Sequence, residues 1–165
     1  MPAILVGSGR AAVAKAIKEQ PLYLAWGTGL QSWDGLAIRP SENASATELI
    51  AETGRRLVTQ TMYVIEDNGG KIQVSTGKFT ESATPTNFLY LRFAYEFLDG
   101  QSDTIRELGV FVGGTTIPRD QSVSKNDYYL PSEVTSKGQL LVSEYIDKLQ
   151  RGPQIKQQFE FVIQF

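Results

Sequence analysis

The last seven residues alternate strictly. Phe159, Phe161, Ile163 and Phe165 fall on one side of an extended chain, and Glu160, Val162 and Gln164 on the other. Strand side chains switch faces at every residue, so the pattern predicts a half-buried β-strand. Burying a Phe side chain is worth roughly 1.5–3 kcal/mol, so this strand is expected to close a sheet, in its own core or against a neighbouring subunit.

Upstream, the spacing predicts a short helix over 8–20, with Ser8 at its N-cap, Val13, Ala16, Ile17 and Gln20 on one face, and Pro21 as its stop. Leu22–Trp26 is a continuous apolar run, the pattern of a buried strand. Ser45-Ala-Thr-Glu48 fits a capping box for a second short helix that would end at Gly54. Residues 56–65 and 71–79 are rich in β-formers and flank Asp67-Asn-Gly-Gly70, which predicts a hairpin. Residues 87–98 alternate clearly, with Leu89, Leu91, Phe93, Tyr95 and Phe97 on one face, and 105–112 follow as a further strand. Residues 115–138 read as one long loop, which in a compact domain is usually functional or mobile. Residues 140–150 fit helix or strand; the short Arg151-Gly-Pro153 connection favours strand.

The expected architecture is therefore mainly antiparallel β, a β-sandwich or open barrel, with one or two short N-terminal helices. The expected division is a helical arm over 1–21 and a single β-rich domain over 22–165.

Composition narrows the function more than the fold. With 41% hydrophobic residues the 165-residue chain can build a core. Sixteen basic against eighteen acidic residues give a net charge of −2, which offers no basic footprint for nucleic acid or a membrane surface. Met1–Val6 is apolar but too short, and lacks the preceding basic residue, for a signal peptide. Histidine and cysteine are absent. That removes ordinary zinc sites and Ser-His-Asp or Cys-His machinery. Gly7-Ser-Gly-Arg10 lacks the third glycine and the Lys-Ser/Thr pair of phosphate loops. The loop carboxylates Asp34, Glu42, Asp99, Asp103, Asp120 and Asp127 show no spacing that selects a catalytic pair, and Asp99-x-x-x-Asp103 is too sparse for calcium. The chain is expected to be no enzyme, with no cofactor and no metal. Arg55-Arg56 and Arg106-Glu107 are expected to form ion pairs in the sheet or across subunits.

Three motifs in order carry a resemblance: Tyr23-Leu-Ala-Trp-Gly-Thr-Gly29, Leu49-x-x-Glu52-x-x-Arg55, and Ile105-Arg-Glu-Leu-Gly-Val-Phe111. Together they resemble the N-terminal region of phage tail-collar fibre proteins and related baseplate or neck proteins, over roughly residues 22–112. Family members usually run on into a long fibre, whereas this sequence ends at Phe165. The resemblance thus implies a compact adaptor in the virion, assembled in the bacterial host cytoplasm. It would join fibres or other tail components and form a symmetric homo-oligomer, with no nucleic-acid or membrane partner. The interface candidates are Val13, Ile17, Trp33, Tyr128, Tyr129, Leu130, Phe161 and Phe165. The rival reading is a carbohydrate-binding module that stacks sugars on Trp33 and Tyr128-Tyr129.

Overall fold

A computed structural model describes residues 1–120 and 126–165. The part of the expected 115–138 loop that falls on 121–125 lies outside the described residues. The elements are α1 (Gly7–Lys18), β1 (Leu22–Gly27), β2 (Glu52–Leu57), β3 (Gln60–Glu66), β4 (Ile72–Val74), β5 (Gly77–Ser82) and β6 (Phe88–Tyr95). They continue with β7 (Thr104–Val112), β8 (Thr115–Thr116), β9 (Tyr128–Tyr129), β10 (Val134–Ser136), β11 (Gln139–Gln150) and β12 (Gln157–Gln164). The fold is mainly antiparallel β with one N-terminal α-helix. Its contacts gather into two compact units, one of residues 1–20, 58–94 and 158–165, the other of 21–57 and 95–157.

The first unit holds a five-stranded sheet in the order β12-β6-β3-β5-β4. Val64, Phe79 and Tyr90 form a buried cluster, with Phe88 and Val162 packed against it. On the opposite side of β6, Leu89, Leu91 and Phe93 are fully buried, and Phe161 sets its ring edge-on to Phe93 at 6.3 Å. Both faces of β6 are thus covered, as suits a strand inside a sheet. The final strand forms where the alternation places it, and Phe165 N donates to Asn87 O at 2.9 Å.

Helix α1 belongs to this unit. Its N-cap is Val6, without a side-chain cap, and Ser8 lies inside the first turn. Its covered face is Ala14 with the half-buried Ala11, Ile17 and Lys18, whose ammonium sits 5.3 Å from the Tyr63 ring centre. Val13 and Ala16 stay exposed. The face expected from sequence is rotated because alanines fill the close approach and Lys18 lays its stem along the sheet. The Asp67–Gly70 turn forms, with Gly70 N donating to Asp67 O at 2.8 Å. The strands it separates do not pair with each other: β5 lies between β3 and β4 and bonds both.

The second unit holds a sheet in the order β11-β7-β1-β2-β9 and a two-stranded sheet of β8 and β10. Every residue of β1 is buried, Leu22–Trp26 to 6% exposure or less, because this run carries apolar side chains to both faces. One face packs Tyr23 and Ala25 against Leu49, Phe111 and Tyr129. The second expected helix does not form. Ser45 N bonds Asn43 Oδ1, Leu49 enters the core, and the Glu52–Leu57 segment is a strand paired with β1. A partner strand outweighs a local capping signal, which is worth only about 1 kcal/mol. Residues 139–150 are strand, paired along β7. Within the expected long loop, Tyr128–Tyr129 forms a strand that extends the sheet beyond β2.

Candidate functional site

The second face of β1 carries a buried polar cluster. Trp26 stacks on Tyr95 at 3.7 Å, and the Tyr95 hydroxyl donates to Leu24 O at 2.5 Å. Trp26 Nε1 donates to the Tyr128 hydroxyl at 3.2 Å. Burial pushes the Tyr128 phenol up to about 12, so it stays protonated. Successive strand residues face opposite ways, so the adjacent arginines of β2 part company. Arg55 lies over the Phe111 ring at 4.3 Å and makes a bidentate pair with Glu52 at 2.8 and 2.9 Å. Arg56 goes to the Trp26 face and bonds Asp99 at 2.7 Å. Asp99 also accepts Glu96 N at 2.8 Å, and Arg151 donates to Asp99 O and Glu96 O. Arg56 and Arg151 thus tie down the turn 96–99, with the Asp99 carboxylate closing it. Gly54 completes this face, since a Cβ there would lie 2.0 Å from the Tyr128 hydroxyl.

Above this scaffold the surface is apolar. Phe97, Leu98 and Leu130 are 44%, 79% and 50% exposed. Leu98 borders two open clefts, of about 350 and 520 Å³, and Tyr128 lines both. Leu130 stands on the wall of the second, where Arg119 and Glu133 hold the chain in place. Arg119 donates to the carbonyls of Asn126 and Tyr128, pairs with Glu133 at 2.5 Å, and covers the Tyr129 ring at 4.3 Å. Glu133 accepts Leu130 N at 2.7 Å. Exposed apolar side chains on a backbone locked by buried and half-buried charges are suited to docking, because little order is lost on binding. They offer no reacting group. Among the described residues no group of acidic side chains is clustered to hold a metal ion, and no helix is long and apolar enough to cross a membrane.

The sequence candidates divide accordingly. Leu130 and Val13 are exposed, at 50% and 38%, and Ile17, Phe161 and Phe165 are half-buried. Trp33, Tyr128 and Tyr129 are buried, at 6–8% exposure. Trp33 packs on Tyr145 at 4.4 Å and Tyr129 edge-on to Tyr23 at 6.2 Å. These three rings therefore form no open stacking platform. Sequence reasoning missed Phe97 and Leu98, because Phe97 continues the alternation of β6 after the strand has ended at Tyr95. The ion pairs expected of Arg55, Arg56 and Arg106 form within the chain, with Glu52, Asp99 and Asp34 as partners. Asp99 and Arg56 are buried, and Arg106 pairs with Asp34 at 2.7 Å, not with its neighbour Glu107.

Several carboxyls are held below their ordinary range. Arg106 lowers Asp34 by hydrogen bonding, the Tyr145 amide lowers Glu42, and the Leu130 amide together with Arg119 lowers Glu133. A carboxyl depressed in the folded state adds stability above its unfolded pKa, and that contribution disappears as pH falls through the folded value. No histidine titrates in between. The denaturation midpoint is expected to stay flat from about pH 8 to about pH 5.5 and to drop below about pH 4. Urea unfolding across that range checks this; a midpoint that falls between pH 7 and pH 6 would contradict it.

No curated protein gives a significant match. The family described as baseplate wedge 3 tail fiber network component matches residues 2–165. The chain therefore belongs to that family and is a structural component of the phage baseplate, part of the virion and not an enzyme.

Proposed function

We propose that this protein is a small adaptor, joining fibres or other baseplate subunits through direct surface contacts. The carrying observation is the pair Leu98 and Leu130, exposed at 79% and 50% beside clefts whose backbone is anchored by Arg56–Asp99 and Arg119–Glu133. The exposed Ile4, Leu5, Val6 and Val13 support a second contact at the N-terminal segment. The half-buried Phe161 and Phe165 would take part where a neighbour completes their cover. The reading includes several copies arranged symmetrically, which the mass of the protein in solution and in the particle reads out.

The test is incorporation. Leu98→Asp with Leu130→Asp leaves the buried cluster intact, so the Trp emission of the free variant should match the wild type. Its content in purified particles should fall at least about tenfold, the scale of a lost interface anchor. Wild-type incorporation by the folded variant would overturn the assignment of this surface.

A further inference from the structure

Among the described residues the outer edge of β11 is closed by side chains and not by a strand. Tyr145 N donates to Glu42 Oε1 at 3.0 Å, and Arg39 Nη1 donates to Tyr145 O at 2.6 Å. An antiparallel strand residue would return the same two bonds, one accepted and one donated. Tyr145 lies opposite Glu107 of β7, and Ser143 lies opposite Gly109. The two residues share a phase, so the Ser143 N–H and C=O also point away from β7.

On either side of this clamp the 33–46 segment stands off the strand. A cleft of about 250 Å³ lies between Glu42–Ala46 and residues 140–143. Another of about 430 Å³ lies between Trp33, Leu36 and Arg39 and residues 146–148. Leu36 and Ile38 are 51% and 86% exposed. The two cations along the edge are already engaged, Arg39 with Asp147 at 3.7 Å and Lys148 with Asp34 at 3.6 Å. What the edge has to offer is main-chain donors and acceptors beside exposed aliphatic carbon. The complement is an extended backbone carrying uncharged apolar side chains.

We propose that the outer edge of β11 is a strand-addition site, at which an extended, uncharged segment of a neighbouring baseplate subunit displaces Arg39 and Glu42 from Tyr145. This rests on the adaptor reading and adds the mode of contact. In the free protein the clamp blocks the edge, which would otherwise pair indiscriminately.

Amide hydrogen exchange on the wild-type protein, free and in purified particles, tests it. The Ser143 amide should exchange at least about tenfold more slowly in the particle. The Arg39→Ala, Glu42→Ala double variant separates docking from simple edge protection. In the free variant the Tyr145 amide exchanges faster than in the wild type; in the particle it should regain wild-type protection. Incorporated protein whose Ser143 amide exchanges equally fast in both states would overturn the proposal and leave the adaptor reading standing. Protein missing from the particle would sink the adaptor reading itself.

Discussion

Replacing Asp99 by Ala is expected to destabilise the second unit by roughly 3–5 kcal/mol. Asp99 is 4% exposed and Arg56 9%. Their bond is 2.7 Å long, and the same carboxylate oxygen accepts Glu96 N at 2.8 Å. Removing the carboxylate leaves a guanidinium buried without its counter-charge. Arg151, 5.2 Å from the Trp26 ring centre, would remain beside it. The penalty comes from the stranded cation more than from the lost bond, so a second substitution should repair part of it. Asp99→Ala with Arg56→Met is expected to be clearly more stable than Asp99→Ala alone, because the methionine fills similar space without a charge. Both tryptophans, Trp26 and Trp33, lie in the second unit. Denaturant unfolding followed by Trp emission therefore reads that unit directly. An Asp99→Ala protein within about 1 kcal/mol of the wild type would show that solvent reaches this pair and screens it.

The same variant bears on assembly. Asp99 fixes the turn that displays Phe97 and Leu98, so its loss should loosen the apolar surface as well as the core. Leu98→Asp with Leu130→Asp removes the apolar contact while retaining the buried pair. Comparing the two separates an effect of surface chemistry from one of surface order.

What the sequence reveals depends on where the stabilising partners lie along the chain. Leu22–Trp26 is legible because five apolar residues in succession need cover on both faces, whatever surrounds them. The terminal strand is legible because its alternation is complete. The Glu52–Leu57 strand is not, since a helix is expected as far as Gly54 and the partner that holds Arg56, Asp99, lies 43 residues away. The Ser45–Glu48 signal is local, while Leu49 is drawn into the core by Tyr23, Phe111 and Tyr129, which come from three different strands. The hairpin at Asp67 shows the same limit: turn chemistry fixes the reversal but not which strand lies next. For the candidate surface, aromatic content pointed to Trp33 and Tyr128-Tyr129, whose rings turn inward to Tyr145, Trp26 and Tyr23. Exposure at Leu98 follows from where β6 stops, which periodicity does not define.

Glu107 is the second residue whose removal should be felt strongly. It is fully buried, yet it has no basic partner among the interactions described for it. Its carboxylate instead accepts three main-chain N–H groups: Ala51 at 2.8 Å and Gly29 at 3.3 Å on Oε1, and Ile50 at 3.0 Å on Oε2. Gly27 makes room for it, since a Cβ there would lie 2.4 Å from Oε1. One side chain of β7 thereby ties down both the exit from β1 and the entry to β2. Glu107→Ala would leave three donors without an acceptor, at a loss of at least about 3 kcal/mol. Glu107→Gln keeps an oxygen for Ala51 and Gly29 but turns an amide N–H toward the Ile50 N–H. Its loss should be about half as large, and its signature should be local. Ile50 amide exchange should speed up while Ala51 and Gly29 stay protected. Equal acceleration at all three amides would mean that the glutamine has left the site; wild-type exchange at Ile50 would mean that this N–H does not depend on Glu107.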